Sequence, residues 1–238
     1  MISVCMATYN GARFIARQLE SITAQLSETD EVVIVDDCSS DATVDIIKEI
    51  KEQAACEVRI YQNEQNLGPV KNFEKALRLS KGEYLFLSDQ DDSWHPNKVM
   101  KVMNAFKGGA DLVLHDGTVL DGKGKIIDDS WIHYNHLNPQ QGVVGNLIKN
   151  GYTGAMMAFT RKLLDLASPF PEKIEMHDQW LFLVAKKNHL KITIIPDSLM
   201  NYVRHGDNVT GMHKRALREM LSGRWRMVQY YQRLKREK

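Results

Sequence analysis

Three carboxylates, those of Asp89, Asp91 and Asp92, follow a short apolar segment and are the groups in this sequence best suited to chemistry. Residues 84–87 (YLFL) have the composition of a buried strand, and Pro96 suits the first turn of a following helix. The acids therefore lie at the carboxyl end of a strand, where open α/β sheets bind ligands. Because side chains alternate along an extended chain, Asp89 and Asp91 can point the same way and hold Mg²⁺ or Mn²⁺, and through it a phosphate. The alternative is a solvated turn with a helix cap.

Polar residues follow the three earlier predicted strands in the same way. The segments after those strands read ATYNGA, DDCSSD and NEQNLGPVKN. In a parallel sheet all four loops open onto one edge, so we expect their polar groups to converge on a nucleotide. Turn and capping chemistry would explain each loop taken alone. The candidate nucleotide-binding residues are Ala7, Thr8, Tyr9, Asn10, Asp37, Asn66, Lys71, Asp89 and Gln90.

Two further candidates come from the second half of the chain. Asp178 begins the pattern of an amphipathic helix (HDQWLFLVA), where a carboxylate aimed into the site could act as a general base; a helix cap is the alternative. Its neighbours Glu175 and His177 could substitute for it. His205 lies in a loop of Gly and Asn residues, where it is either a ligand or a structural or solvated side chain.

The elements that must position these residues alternate between strand and helix in the first half. We predict strands over residues 2–7, 31–36, 57–62 and 84–87, and helices over about 13–25, 42–53, 70–79 and from 97. This order implies a mostly parallel sheet with helices on both faces. In the second half we predict strands over residues 111–116, 191–195 and 198–203, a helix over about 178–188 and a helical tail from 213.

Composition limits the class of protein. The 238 residues, 43% of them hydrophobic, suffice for a sizeable core, and a net charge of +1 gives no overall attraction to nucleic acid. The three cysteines show no metal or redox spacing, which fits a reducing compartment. No segment reaches the roughly 18 apolar residues of a membrane span, and the N-terminus has no basic region followed by an apolar stretch. We expect a cytoplasmic protein, either soluble or bound to a membrane surface.

Positive charge is concentrated at the end of the sequence. From residue 214 onward nine Lys or Arg stand against two Glu, so this tail carries +7 and the remaining chain −6. Leu217, Leu221, Trp225, Val228 and Tyr231 are spaced as one helical stripe. The stripe predicts either a helix that packs on the core or one that lies on the inner face of the membrane, close to a lipid-linked acceptor.

Taken in order, these motifs resemble the family 2 glycosyltransferases, which have the GT-A fold. The resemblance covers about residues 2–211 and is carried by ATYNG, VIVDDCSSDAT, NLGPVKNFEKAL, LFLSDQDDSWHPNK, GYTGAMMAF, HDQW and HGDNVTG. The forms SDQDDSW and HGDNVTG look most like the rhamnosyltransferase-type branch of bacterial surface-polysaccharide enzymes. The implied fold class is α/β of the GT-A type, with a mostly parallel central sheet flanked by helices and a C-terminal helical tail.

The resemblance implies inverting transfer of a sugar from a UDP- or dTDP-sugar to a hydroxyl of a saccharide or lipid-linked saccharide. It implies that residues 1–116 bind the nucleotide sugar, that residues 117–211 bind the acceptor within the same domain, and that residues 212–238 form the basic tail.

The resemblance also implies roles for single residues. Asp89 and Asp91 match the family's D-x-D element, with Asp91 as the direct ligand of Mn²⁺ or Mg²⁺, and His205 falls near the metal or the diphosphate. Asp178 falls at the catalytic base. The other implied contacts are Thr8, Tyr9, Asp37 and Lys71 for the nucleotide, and Gly154 and Trp180 for the acceptor.

The sequence departs from the family's pattern at one motif. Related sequences often read Tyr-Arg-x-His where this chain has Tyr202-Val203-Arg204-His205. Either Arg204 replaces the missing cation from the neighbouring position, or a phosphate contact is lost.

Two other functions stay open on the sequence. A strand followed by D-x-D-x-[ST] also fits a haloacid-dehalogenase-type phosphatase, in which Asp89 would be a covalent nucleophile, although a convincing later Gly-Asp-x-x-x-Asp acid pair is missing. The chain could also be a non-catalytic nucleotide-sugar-binding protein.

Overall fold

The computed structural model of the protein describes residues 1–204 and 217–234, and the strands within these ranges join into one sheet. In chain order the strands are β1 Ile2–Thr8, β2 Glu31–Asp36, β3 Glu57–Gln62, β4 Tyr84–Ser88, β5 Ser93–Trp94, β6 Leu112–Leu120, β7 Ile126–Asp128, β8 Met157–Thr160 and β9 Ile192–Val203. The helices are α1 Ile15–Thr23, α2 Thr43–Lys51, α3 Pro69–Leu79, α4 Lys98–Lys107, α5 Trp131–Tyr134, α6 Val143–Ile148, α7 Arg161–Ala167, α8 His177–Lys187 and α9 Leu217–Arg233. A 3₁₀ turn, Gly154–Met156, precedes β8.

The first half of the chain builds the parallel part of the sheet, in the order β3-β2-β1-β4. β2 is buried along its whole length, which explains why its sequence is apolar without alternation. α1 and α2 contact each other, and α3 packs across β1 and β2. The α/β class and the parallel order expected from the sequence are confirmed, and the polar loops after β1, β2, β3 and β4 meet at one edge.

The second half extends the same sheet with strands of both directions. β8 is antiparallel to both β4 and β6, whereas β9 is parallel to β6 and antiparallel to the short strand β5. β6 passes through the predicted boundary between residues 116 and 117, so both halves share one sheet.

β9 corrects one prediction, because it is a single strand where the sequence suggested two around Pro196. Its pairing with β6 jumps from Leu114 opposite Ile194 to Asp116 opposite Ser198. Three residues of β9 therefore stand against one of β6, a bulge that accommodates a proline without an amide hydrogen.

α8 is also different from its prediction. It begins at His177, one residue before Asp178, and residues 177–185 are all buried, so the helix is not amphipathic. Helices α3, α6, α7 and α9 all contact it, which explains why every face of α8 avoids water.

The predicted stripe of α9 does not coincide with the face that packs on the protein. Leu221 and Trp225 are 57% and 63% exposed, whereas Gly223 and Met227 are buried. Arg226 reaches across to Glu175 at 2.9 Å and ties the helix to the segment before α8. The expectation that the whole stripe packs on the core is therefore wrong. Among the described residues, no helix combines the length and apolar character needed to cross a bilayer.

Candidate active site

The acid loop, residues 89–92, leaves the carboxyl end of β4 and is held by α1. The Gln18 amide donates to the Ser88 hydroxyl at 2.7 Å and to the Asp89 carbonyl at 3.0 Å. The Arg17 guanidinium donates to the carbonyls of Asp91 and Asp92 at 2.8 and 3.3 Å. Because these bonds use the backbone of the loop, its carboxylates stay available for other partners. Sequence reasoning missed both residues of α1, since nothing local in a helix predicts contacts 70 or more residues away.

The carboxylates of the acid loop repel one another. Burial raises the pKa of Asp89 to about 7, and the negative charges of Asp91 and Asp178 raise it further. The pKa of Asp92 is well above its ordinary value, because the side chain is buried beside Asp91 and Asp89. Asp92 Oδ1 accepts from the Val203 amide at 3.3 Å, whereas Oδ2 has no hydrogen-bond partner among the described residues. The loop therefore concentrates acidic groups that disfavour one another's ionised form, and the positive charge of Lys98 offsets this only in part.

A hard divalent cation fits this charge distribution. Carboxylates that raise one another's pKa and leave a buried oxygen unpartnered gain stability when a cation enters. Asp89 and Asp91 supply the oxygen donors that Mg²⁺ and Mn²⁺ prefer, and such ions commonly complete their shell with water and substrate phosphates. Within residues 1–204 and 217–234, no group of three or more His, Cys, Asp or Glu side chains forms a closed metal site. His205 lies outside the described residues.

Asp178 approaches the acid loop from the second half of the chain. It is the second residue of α8 and not its cap, and its side chain is 4% exposed. Oδ1 accepts from the Asn150 amide at 2.9 Å and from the Gln179 amide at 2.6 Å, while Oδ2 accepts from the Gly154 amide at 3.2 Å. Burial raises the pKa of Asp178 to about 6, whereas these hydrogen bonds lower it. The carboxylate is thus ionised at neutral pH yet basic enough to accept a proton.

Gly154 has a structural reason to be glycine. A Cβ at this position would lie 2.6 Å from Nε2 of the buried His177. The backbone can approach α8 closely enough for its amide to reach Asp178 only without a side chain. Gly154 therefore positions the carboxylate, and an acceptor contact stays a prediction.

The loop after β1 is joined to the acid loop by a pair of hydrogen bonds. The Tyr9 amide donates to Oε1 of Gln90, and Nε2 of Gln90 donates to the Tyr9 carbonyl, both at 2.9 Å. Asn10 adopts a left-handed φ of 47°, and a Cβ on Gly11 would lie 2.2 Å from Oε1 of Gln90. The Tyr9 ring is 51% exposed and free to meet a ligand.

The acids after β2 support neighbouring backbone. Asp37 Oδ1 accepts from the Asn63 amide group and from the Leu67 amide, and Oδ2 accepts from the Gly68 amide, each at 2.8 Å. Its carboxylate therefore shapes the loop after β3. Thr8 is likewise buried and donates to Asp36 at 2.8 Å. For these residues a direct nucleotide contact stays a prediction.

Other predicted site residues lie in varied positions. Asn66 is exposed and donates weakly to the Asp37 carbonyl at 3.4 Å, and Lys71 is exposed with Nζ 3.9 Å from Glu74. Trp180 is 3% exposed, and its indole N–H donates to the Ala167 carbonyl at 2.9 Å. The ring belongs to the packing between α7 and α8, and the expected acceptor contact stays a prediction. Asn150, which no motif singled out, is the side chain that touches the candidate base.

Comparison with known proteins places this geometry in a family. The model of glycosyl transferase family 2 matches residues 3–166. An uncharacterised glycosyltransferase of Nostoc sp. is 28% identical over 215 residues, which cover 87% of this chain and 66% of that protein. TarS of Staphylococcus aureus, a poly(ribitol-phosphate) β-N-acetylglucosaminyltransferase, is 27% identical over 219 residues, which cover 89% of this chain and 37% of TarS.

Solved structures share the fold. The crystal structure of TarS residues 1–349 in complex with UDP-GlcNAc has a TM-score of 0.74 at 22% identity, covering 97% of this chain and 66% of that one. The mannosyltransferase PcManGT of Pyrobaculum calidifontis, in complex with GDP-Man and Mn²⁺, has a TM-score of 0.64 at 20% identity, covering 84% of this chain and 56% of that one. The expected GT-A fold is confirmed, and the chain spans about two thirds or less of these proteins.

Proposed function

The chain belongs to glycosyl transferase family 2, and from this premise we propose that it moves a sugar from a nucleoside-diphosphate sugar to a hydroxyl of a saccharide or lipid-linked saccharide. The solved neighbours were crystallised with UDP-GlcNAc and with GDP-Man, which supports a donor of this class. TarS is named for the transfer of a sugar to poly(ribitol-phosphate), and TuaG of Bacillus subtilis is named as a putative glycosyltransferase of teichuronic acid biosynthesis, which supports a role in polysaccharide synthesis. UDP or dTDP as the donor's nucleotide, and the rhamnosyltransferase-type branch, stay predictions from the motifs.

One observation carries the proposal. Asp178 belongs to the second half of the chain, yet its charge acts on Asp89 at the end of β4 in the first half. A base held by three hydrogen bonds thus faces a loop suited to a diphosphate and its cation. Displacement at an anomeric carbon requires a base for the acceptor and a stabilised leaving group, and this pairing of Asp178 with the acid loop supports that reaction.

The proposed reaction is a single displacement. Asp178 takes the proton of the acceptor hydroxyl as its oxygen forms a bond to the anomeric carbon. The bond from that carbon to the diphosphate oxygen breaks on the opposite face, so the configuration inverts. Asn150 and Gly154 keep the carboxylate in place through the step. The protonated base then releases its proton to solvent.

A divalent cation would be held by Asp89 and Asp91, with His205 as a further predicted ligand. Such an ion supplies stabilisation of the negative charge that develops on the departing diphosphate. Arg17 and Gln18 hold the backbone carbonyls of Asp91 and Asp89, which would fix the positions of the two carboxylates for binding of the cation.

The test is a panel of nucleotide sugars with saccharide acceptors, followed by product NMR to assign the anomeric configuration. Asp178→Asn should lower kcat by roughly 10²- to 10⁴-fold, since the proton acceptor is lost, and leave donor affinity unchanged, since the predicted donor-binding residues are untouched. The new NH₂ group also replaces an oxygen that accepts a hydrogen bond from Asn150 and Gln179 or from Gly154. Asp165→Asn, an exposed carboxylate on α7, is the matched control and should behave as wild type. A retained configuration, or a loss of donor affinity with kcat intact, would refute the assignment of Asp178.

The alternatives separate in the same assay. Family membership removes the phosphatase interpretation of Asp89. A non-catalytic binding protein would bind donor yet form no product with any acceptor, and Asp178→Asn would then change nothing.

The tail contributes a second proposal, which concerns a membrane surface. Leu221 and Trp225 are exposed beside Arg218 and Arg224 on α9, an arrangement suited to an anionic bilayer. Each basic group at such a surface contributes about 1 kcal/mol, so Arg218→Ala with Arg224→Ala should weaken binding to anionic vesicles about 30-fold. Equal co-sedimentation of this variant and wild type, or no sedimentation of wild type at low salt, would exclude the role.

A further inference from the structure

A buried lysine lies between the acid loop and the turn that holds the base. Lys98 is the first residue of α4, and its side chain is 1% exposed. Its Nζ donates to the Ala155 carbonyl at 3.0 Å and lies 3.8 Å from Sδ of Met200. The same ammonium sits 4.0 Å from the centre of the Trp94 ring, a cation–π contact.

This placement is unfavourable for a lysine considered alone. The carbonyl, thioether and ring that Nζ contacts are all neutral, and burial of an ammonium among neutral groups costs free energy. Burial lowers the pKa of Lys98 to about 7, while the charges of Asp92 and Asp89 act against that change. An apolar residue of the same length would avoid the burial of an ammonium, but it would leave Asp89 and Asp92 without the positive charge of Lys98. The lysine therefore needs an explanation other than packing.

The three contacts connect the two sides of the candidate active site. Trp94 follows the acid loop by two residues. Ala155 follows Gly154, whose amide donates to Asp178 at 3.2 Å. Met200 lies on β9, and that strand delivers the Val203 amide that donates to Asp92. One ammonium thus contacts Trp94 after the acid loop, the turn beside Asp178, and β9, whose Val203 amide donates to Asp92.

We propose that Lys98 is a positioning residue that fixes the acid loop and the Gly154–Met156 turn relative to each other. By holding the Ala155 carbonyl, it keeps the preceding amide aimed at Asp178. Its effect on turnover rests on the proposed function, whereas its effect on the turn does not. The two are therefore measured separately.

The first measurement is amide hydrogen exchange over residues 150–160 in the full chain. Lys98→Met keeps the length and the contact with Met200 but leaves the Ala155 carbonyl without its donor, so exchange in this segment should accelerate about tenfold or more while the rest of the sheet is unchanged. Lys101→Met, one turn along α4 and paired with Asp197 at 3.0 Å on the surface, is the matched control and should leave the segment as in wild type.

The second measurement is the pH profile of turnover. With the Gly154 amide loosened, Asp178 loses a bond that favours its charged form, so the acidic limb of kcat/KM in Lys98→Met should move up by about one pH unit. The value of kcat should fall about 10- to 100-fold, and the donor KM should change little. Lys98→Arg, which keeps the charge and the donor, should recover part of this loss.

The outcomes are distinct. Faster exchange in residues 150–160 with no turnover by wild type on any donor would uphold the positioning role and refute the proposed function. Turnover by wild type with neither the exchange nor the acidic limb altered in Lys98→Met would overturn the inference and leave the proposed function standing. A uniform rise of exchange across the chain would also overturn it, because it would mean that Lys98 only supports global stability.

Discussion

Two acidic loops at the same edge of the sheet differ in the number of hydrogen bonds that their buried carboxylates accept. After β2, Asp37 is buried with three donors on its two oxygens, each at 2.8 Å. After β4, Asp92 is just as buried, yet one of its oxygens has no partner among the described residues, and the pKa values of Asp89 and Asp92 are both raised. The loops have similar composition and position, so their sequences alone do not distinguish them.

We propose that the difference separates an acid with a structural role from acids with a functional one. A carboxylate that is saturated by amides contributes stability and shapes the backbone around it. A carboxylate that faces other carboxylates costs stability until a cation arrives, and native proteins keep such sites where they serve a reaction. The following four substitutions and titrations test this contrast, from the largest expected effect to the smallest.

Asp91→Ala should lower kcat/KM by about 10³-fold or more, because the leaving diphosphate loses the cation that stabilises its charge. The free energy of unfolding without ligand should be unchanged or higher. Steady-state kinetics with Mn²⁺ and urea titration measure the two quantities. Full activity of demonstrably metal-free wild type in excess chelator would contradict this.

Asp37→Ala should do the reverse and lower the free energy of unfolding by roughly 3 kcal/mol, since buried donors of Asn63, Leu67 and Gly68 lose their acceptor. Urea denaturation gives the value, and Asp45→Ala on the exposed face of α2 is the matched control. If Asp37→Ala were as stable as wild type but unable to bind donor, Asp37 would be a direct ligand and the contrast between the loops would fail.

Asp178 shares one feature with each loop: it accepts hydrogen bonds from three donors, as Asp37 does, and its pKa is raised, to about 6, as that of Asp89 is. Its active form is the ionised one, so kcat/KM should rise with pH and level off above about 6. Each unit below that value should cost about tenfold. The profile of Asp178→Asn should lack this limb. A limb that persists in the variant would assign it to another group.

Asp89→Asn should raise the free energy of unfolding of the metal-free protein at pH 8 by roughly 1 kcal/mol. The folded-state pKa of Asp89 is about 7, above its ordinary 3.8, so its charge destabilises the fold increasingly as pH rises through this range. The expected gain in free energy of unfolding is well below the amount that corresponds to the whole change in the pKa of Asp89, because this side chain is partly exposed and solvent screens its charge. The gain should vanish near pH 4, which thermal unfolding at the two pH values can check. An equal change at both would remove the electrostatic explanation.

The fold was predictable where pattern and burial agree. Strand β2 has the predicted bounds because its run of apolar residues is continuous, and strand β3 because Val58 and Ile60 alternate with polar neighbours. The single strand over residues 191–203 was not predictable, since Pro196 locally indicates a break between two strands. Only the pairing with β6 shows that the strand continues through a bulge at this proline. α8 was mistaken for an amphipathic helix because the helices that cover it come from distant parts of the chain.

The site was predictable at the level of loops. Motifs singled out Asp89, Asp91 and Asp178, and in the structure the charge of Asp178 acts on Asp89, while the roles of all three stay predictions. The residues that hold them were not found, because Gln18, Lys98 and Asn150 act through contacts between segments that are far apart in sequence. His205 stays a prediction outside the described residues.

The reciprocal hydrogen bonds between Tyr9 and Gln90 have a consequence for redesign of the loops that carry them. Each of the two loops donates one hydrogen bond to the other and accepts one from it. Grafting either loop alone would leave these polar groups without partners, so the two loops form one cassette that has to be moved as a whole. Gly11 belongs to the same cassette, because any side chain there would collide with Gln90. When loops are exchanged between relatives, residues 9–11 and residue 90 should therefore be transferred together.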